Sequence, residues 1–125
     1  KVKNKEKGRG NMINRRDSMQ TELKEKMRGG EGTIAITHLV KKEEIKNGRL
    51  MARIDIPVGS SIGPHTHEGE TEYYLIQEGE GEVQESDGMK KVGPGDVVVT
   101  GDQETHSITN TGHIPLIMIA VIIYD

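Results

Sequence analysis

The sequence predicts an all-β sandwich or barrel, and three observations carry that prediction. Short runs rich in β-branched residues recur along residues 33–125, with Gly, Asn and Asp turn signals every eight to twelve residues. Helical spacing is confined to a short N-terminal stretch. At 125 residues the chain suits one domain with a real core.

Taken in order, residues 1–16 are polar and basic, with no periodicity that would bury a face. Asp17 or Ser18 is placed to cap a short helix carrying Leu23 and Met27 at i, i+4 spacing, ended by Gly29-Gly30-Glu31-Gly32. Residues 1–32 therefore read as a basic arm with a short helix, and residues 33–125 as the β-domain. Thr33–Val40 is the first strand, and Asn47-Gly48 is a hairpin turn signal. Arg49–Ile56 alternates, with Leu50, Ala52, Ile54 and Ile56 on one face and Arg49, Met51, Arg53 and Asp55 on the other. Strands follow at His65–His67, Glu72–Glu78, Glu82–Ser86, Lys90–Val92, Asp96–Thr100 and Thr105–Asn110, each bounded by turn residues such as Asp87-Gly88. The last strand, Leu116–Ile123, is apolar at both parities, so both of its faces need cover. The N-terminal strands or a second subunit must supply the outer cover, and a homodimer is expected.

Net charge is −3, which gives no general pull toward nucleic acid. The distribution is uneven: residues 1–30 hold ten Lys/Arg against four Asp/Glu, and residues 31–125 hold seven against sixteen. The arm has no aromatic side chain to stack on bases. It reads as a solvated tail, or as a segment docked by charge on an acidic body. There is no Cys, hence no disulfide or thiolate chemistry. The longest apolar run, Pro115 to Tyr124, is far short of the ~20 residues of a membrane helix. No apolar leader is visible, and a cytoplasmic protein is expected. With neither Phe nor Trp present, a pocket must be lined by Ile, Leu, Val, Met and Tyr.

Chemistry concentrates between Gly59 and Gly79. Residues two apart in a strand share a face, so His65 and His67 aim two imidazoles into one space. The Gly69-Glu70-Thr71 turn then allows Glu72 to return on a neighbouring strand, giving three ligands from one hairpin. His106 is a fourth candidate. Three imidazoles and a carboxylate suit Zn, Cu, Fe, Ni or Mn, and on an octahedral ion they leave two positions open for a substrate, O2 or water.

These residues resemble the two motifs of the cupin superfamily. Gly59-(x5)-His65-x-His67-(x4)-Glu72-(x6)-Gly79 is similar to the first motif without departure. Gly95-(x5)-Gly101-x-Gln103-(x2)-His106-(x3)-Asn110 resembles the second, with Gly101 where Pro is usual and Gln103 where Gly is usual. The resemblance implies a double-stranded β-helix, or jelly-roll barrel, of a single domain. It implies one divalent metal held by His65, His67, Glu72 and His106, with Mn favoured and Fe, Ni or Zn as alternatives. Short cupins of this kind resemble one half of the two-domain oxalate decarboxylases. The implied function is a Mn-dependent, decarboxylase-like lyase acting on a small carboxylate such as oxalate. A cupin dioxygenase, a sugar isomerase and a non-enzymatic ligand-binding module are the alternatives.

Around the ligands, Glu68 and Glu70 are candidates for a carboxylate supporting a ligand or for a general acid. Arg53 is a candidate anchor for a substrate carboxylate, against plain surface exposure on the polar face of its strand. Tyr74 and Ile76 share parity with Glu72, and Ile108 with His106, so all three are expected to line the pocket. Asn110 is expected to tie a turn. His38 reads as a packed or interface histidine, and His113 as a turn residue.

Overall fold

Residues 12–125 are described by a computed structural model of the chain. Residues 1–11 of the basic arm lie outside them. The described residues form ten strands: β1 (Thr21–Glu25), β2 (Thr33–His38), β3 (Gly48–Ile56), β4 (Ser61–Thr66), β5 (Glu70–Glu78), β6 (Gly81–Glu85), β7 (Gly88–Val92), β8 (Val97–Thr100), β9 (Thr105–Asn110) and β10 (Leu116–Tyr124). They build two facing sheets, one of order β1-β2-β3-β10-β5-β8 and one of order β4-β9-β6-β7. Every pairing is antiparallel. The two sheets close on a shared interior as a double-stranded β-helix. No helix among the described residues is long and apolar enough to cross a membrane.

The interior is filled from alternate positions of both sheets. Ile34, Ile54, Ile56, Ile62, Ile76, Ile108, Leu116 and Met118 are all at most 2% exposed. Each such side chain contributes about 1.5–3 kcal/mol of burial. In the absence of Phe and Trp, isoleucine does most of this filling, and its β-branch fits the pleat.

Three expectations change. The stretch around Leu23 and Met27 is not a helix. It is β1, lying between single 3-10 turns at Arg16–Ser18 and Met27–Gly29. Two apolar residues do not give a helix a face to bury, whereas the free edge of β2 offers five paired positions, Thr21↔Thr37 through Glu25↔Thr33. Cross-strand bonds add to the pairing: Thr21 Oγ1 and Thr37 Oγ1 lie 2.7 Å apart, and His38 Nε2 meets Glu22 Oε2 at 2.8 Å. His38 is thus held at the sheet edge, away from the other histidines.

Asn47-Gly48 is a turn, with Asn47 at φ 60°, but it does not close a two-residue hairpin. β2 and β3 pair only from His38↔Ala52 onward, and a 3-10 turn at Lys42–Glu44 lies in the connection.

The third change concerns the ligand hairpin. β4 and β5 belong to different sheets, so the turn after His67 carries the chain across the barrel. Glu72 faces the histidines from the opposite wall.

β10 has the two faces its sequence requires. Leu116, Met118, Ala120 and Ile122 are buried inward, and Ile117, Ile119, Val121 and Ile123 are half-buried outward. β1 does not cover that outer face, because it extends the same sheet at its edge.

Candidate metal centre

His65, His67, Glu72 and His106 converge inside the barrel, with one ligand atom from each lying within 4.8 Å of all the others. His65 and His106 are direct cross-strand partners on β4 and β9. A bulge makes this possible. Ile62 pairs with Ile108 and His65 with His106, so β4 carries one more residue than β9 between the two pairs. The extra residue at Gly63-Pro64 resets the parity and turns His65 inward below Ile62. Pro64, which has no N–H to donate, is tolerated at such a site.

The separations fit one ion. His106 Nε2 lies 3.0 Å from His65 Nε2, 3.1 Å from His67 Nε2 and 3.1 Å from Glu72 Oε1. Glu72 Oε1 is 2.9 Å from His67 Nε2 and 3.6 Å from His65 Nε2. An ion about 2.1 Å from each ligand places neighbouring ligand atoms at right angles about 3.0 Å apart. The outer nitrogens fix the tautomers. His65 Nδ1 donates to the Gly63 carbonyl at 2.9 Å, and His67 Nδ1 donates to Glu70 Oε2 at 2.6 Å. His106 Nδ1 meets the Thr100 hydroxyl at 2.7 Å, which can accept. With each Nδ1 donating outward, each Nε2 turns a lone pair toward the common centre, which is the donor set a cation needs.

Electrostatics agree. Burial pushes the Glu72 carboxyl up, but the polar imidazole edges of His106, His65 and His67 ranged around it outweigh burial and hold the group well below the usual carboxylate range. His67 is made more basic by its bond to Glu72, with Glu70 adding to this. Burial lowers His106, which keeps its imidazole neutral and available. Tyr74 stacks on His106, with ring centroids 5.0 Å apart and planes 15° off parallel. Its ring therefore sits against the candidate centre, while Ile76 and Ile108 are buried in the core.

Glu70 is not a free acid. Arg49 grips it through Nε–Oε1 and Nη2–Oε2 bonds, both 2.7 Å, while Oε2 also accepts from His67. The Arg49 guanidinium holds the Glu70 carboxyl down at about 2. Of the two roles open to Glu70, the geometry supports orienting a ligand. Arg53 is not brought to the site. It lies on the outer face of β3, half exposed, with Nε 3.3 Å from Asp55. Parity had grouped Arg49 with Arg53, and a register shift between Ile122 and Ile123 on β10 separates them. Leu50 pairs with Ile122 and Gly48 with Ile123, so Arg49 is the unpaired extra residue and its side chain is re-aimed toward Glu70. Asn110 ties its turn as expected, donating to the carbonyls of Ile56 and Ile114 and accepting from Gly112 N.

Gln103 occupies a left-handed conformation, φ 68°, where only glycine is free of a Cβ penalty of roughly 1 kcal/mol. Two backbone bonds hold it there: Gln103 N to the His67 carbonyl at 2.6 Å, and His67 N to the Glu104 carbonyl at 3.1 Å. The turn thus clamps the backbone of a ligand.

A small antiparallel barrel with three imidazoles and a carboxylate turned to one interior point defines a class, the double-stranded β-helix proteins with a candidate metal centre on the barrel wall. The chain belongs to the cupin family, whose cupin domain matches residues 52–122. It is 43% identical over 113 residues to an oxalate-binding protein of Thermotoga maritima, covering 90% of this chain and 93% of that one. Its fold matches the crystal structure of a predicted oxalate decarboxylase from Thermotoga maritima with a TM-score of 0.84 and 42% identity, over 89% of this chain and 97% of that one. A sugar phosphate isomerase of the cupin superfamily from Silicibacter pomeroyi matches with a TM-score of 0.70 at 18% identity, over 87% of this chain and 73% of that one. That last likeness shows the fold alone.

Proposed function

We propose that the chain holds one divalent metal through His65, His67, Glu72 and His106 and uses it to bind a small dicarboxylate of the oxalate class. The convergence of the four ligand atoms, with every imidazole oriented by a partner on its other nitrogen, carries this reading. The resemblance to an oxalate-binding protein supports the ligand class. The mixed nitrogen and oxygen set suits manganese, with iron, nickel and zinc as the alternatives. When bound, such an ion supplies Lewis-acid charge and open positions for carboxylate oxygens. The protein's own part is to orient. Gly63, Glu70 and Thr100 fix the three rings, and Tyr74 closes one side with an apolar face.

Metal-dependent binding is favoured over turnover by Glu70, the candidate proton donor, because its carboxylate is fully engaged by Arg49 and His67. Elemental analysis of the purified protein is expected to show one equivalent of metal. Calorimetry is expected to show oxalate binding that disappears with chelation. Oxalate binding that survives complete metal removal would sink this reading. Formate and CO2 release from oxalate would establish the decarboxylase-like lyase instead.

We further infer that two copies associate through the outer face of the six-stranded sheet. Met51, Val121, Tyr73 and Val99 form one cross-strand row there, and Ile119, Leu75 and Val97 the next. Val97 and Val99 are 55% and 53% exposed, and contiguous apolar patches of this kind mark interaction sites. Light scattering at micromolar concentration is expected to give a dimer for the wild type and a monomer for Val99→Lys.

A further inference from the structure

A row of inward side chains crosses the six-stranded sheet at the level of the centre. Leu50 pairs with Ile122, Ile122 with Glu72, and Glu72 with Thr100. Directly paired residues of neighbouring strands point to the same face, with Cβ atoms about 4.5–5.5 Å apart. Glu72 therefore has one inward neighbour on each side. Thr100 is engaged, because its hydroxyl meets His106 Nδ1 at 2.7 Å. Ile122 has no polar group to offer, yet it is 3% exposed. It also stands apart from the other buried apolar side chains, which form one continuous core that Ile122 does not join.

The other surroundings of the centre are occupied. One inward position deeper on β5, Tyr74 stacks on His106, with Ala120 and Ala52 beside it in its row. One inward position nearer the start of β5, Glu70 is gripped by Arg49. Thr100 closes the β8 side. Among the four ligand side chains His65 is the least enclosed, and it stands on β4, an edge strand of its sheet. The wall left bare beside Glu72 is Ile122, with Leu50 behind it. That wall is stiff. Ile122 sits at the register shift of β10, and a Cβ on Gly48 would overlap its carbonyl, so β3 is seated against its backbone. A β-branched side chain has little freedom about χ1.

We propose that Ile122 is a specificity-determining residue of the centre, setting the length of dicarboxylate that can bind there so that a two-carbon ligand is favoured over a longer one. This rests on the dicarboxylate reading above. The carboxylates of such a ligand are satisfied at the ion, whereas each added methylene must be placed against a wall that a branched side chain already fills.

The test uses the full chain loaded with manganese, with oxalate and malonate titrated separately by calorimetry. The ion's own preference between the two chelators is common to every variant, so the readout is the malonate-to-oxalate affinity ratio. Ile122→Ala is expected to raise that ratio by about 10- to 200-fold, the value of one methylene in a closely fitting apolar pocket. Ile122→Val removes a single methyl group, disturbs folding least, and is expected to raise the ratio by a smaller factor in the same direction. Ile123→Val is the matched control, since the neighbouring side chain is half-buried on the outer face, and its ratio is expected to equal that of the wild type. An unchanged ratio in both Ile122 variants, or an equal rise in Ile123→Val, overturns the role of Ile122 and leaves the dicarboxylate reading standing. A wild-type protein that binds neither ligand overturns that reading and this proposal with it.

Discussion

Replacing His106 by Ala is expected to abolish stoichiometric metal binding while leaving the barrel folded. His106 is the hub of the centre, because its Nε2 approaches the ligand atoms of His65, His67 and Glu72 at 3.0, 3.1 and 3.1 Å. It is also the only ligand of the four on β9, so no neighbour in sequence can substitute for it. Metal-binding free energies of about 10–16 kcal/mol shared over four ligands come to roughly 3 kcal/mol each, or more than a hundredfold in affinity per ligand. The lost stacking on Tyr74 and the freed Thr100 hydroxyl add a folding cost, but the isoleucine core around them is independent of the imidazole. Metal content after dialysis, with circular dichroism as the folding check, decides the matter. His38→Ala is the control. That histidine bonds Glu22 at the far sheet edge, so its loss should leave metal content at one equivalent. An His106→Ala protein that keeps one equivalent of metal would show that the four residues do not form the site.

Much of this centre was legible in the sequence because it depends on strand parity, and parity survives wherever strands run regularly. His65 and His67 share a face, Glu72 and Tyr74 share another, and β9 presents His106, Ile108 and Asn110 together inward. What was not legible depends on departures from regularity. The bulge at Gly63-Pro64 and the one opposite Ile122 and Ile123 each shift the count by one residue, and neither is marked by a residue pattern strong enough to read alone. Arg49 was assigned outward for that reason. β1 failed differently, since its two apolar residues fit a helical spacing locally, while the winning partner was a strand edge that only the assembled sheet provides. The crossing of β5 to the opposite sheet is likewise a matter of topology, because a turn at Glu68-Gly69 can serve a hairpin or a crossing equally well.

The consequence of the second bulge is the most demanding prediction. Arg49→Met is expected to destabilise the protein by about 2–3 kcal/mol and to weaken metal binding by about 10- to 100-fold, although Arg49 touches no metal ligand. Glu70 would keep its carboxylate, 7% exposed, with its bidentate partner gone. Breaking a buried ion pair costs more than the pair is worth, because a charge is left behind, and the partial exposure of Arg49, 35% at the side chain, brings the cost below that of a fully enclosed pair. The effect reaches the centre through one atom, since Glu70 Oε2 accepts from both Arg49 Nη2 and His67 Nδ1. Without the guanidinium, the carboxyl is free to turn or to take up a proton, and the ring of His67 loses its fixed tautomer. The acid limb of the stability profile separates this chain of cause from plain loss of packing. With its pKa held at about 2, below the ordinary 4.5, Glu70 adds stability that is present above the ordinary value and is lost only as pH falls toward about 2. In Arg49→Met that loss is expected to begin nearer pH 4 to 5, by urea titration across pH 2 to 7. Adding Glu70→Gln removes the stranded charge and keeps an acceptor for His67 Nδ1, so the double variant is expected to be more stable than Arg49→Met alone. A double variant no more stable than the single one would show that Arg49 acts through packing and not through the Glu70 charge.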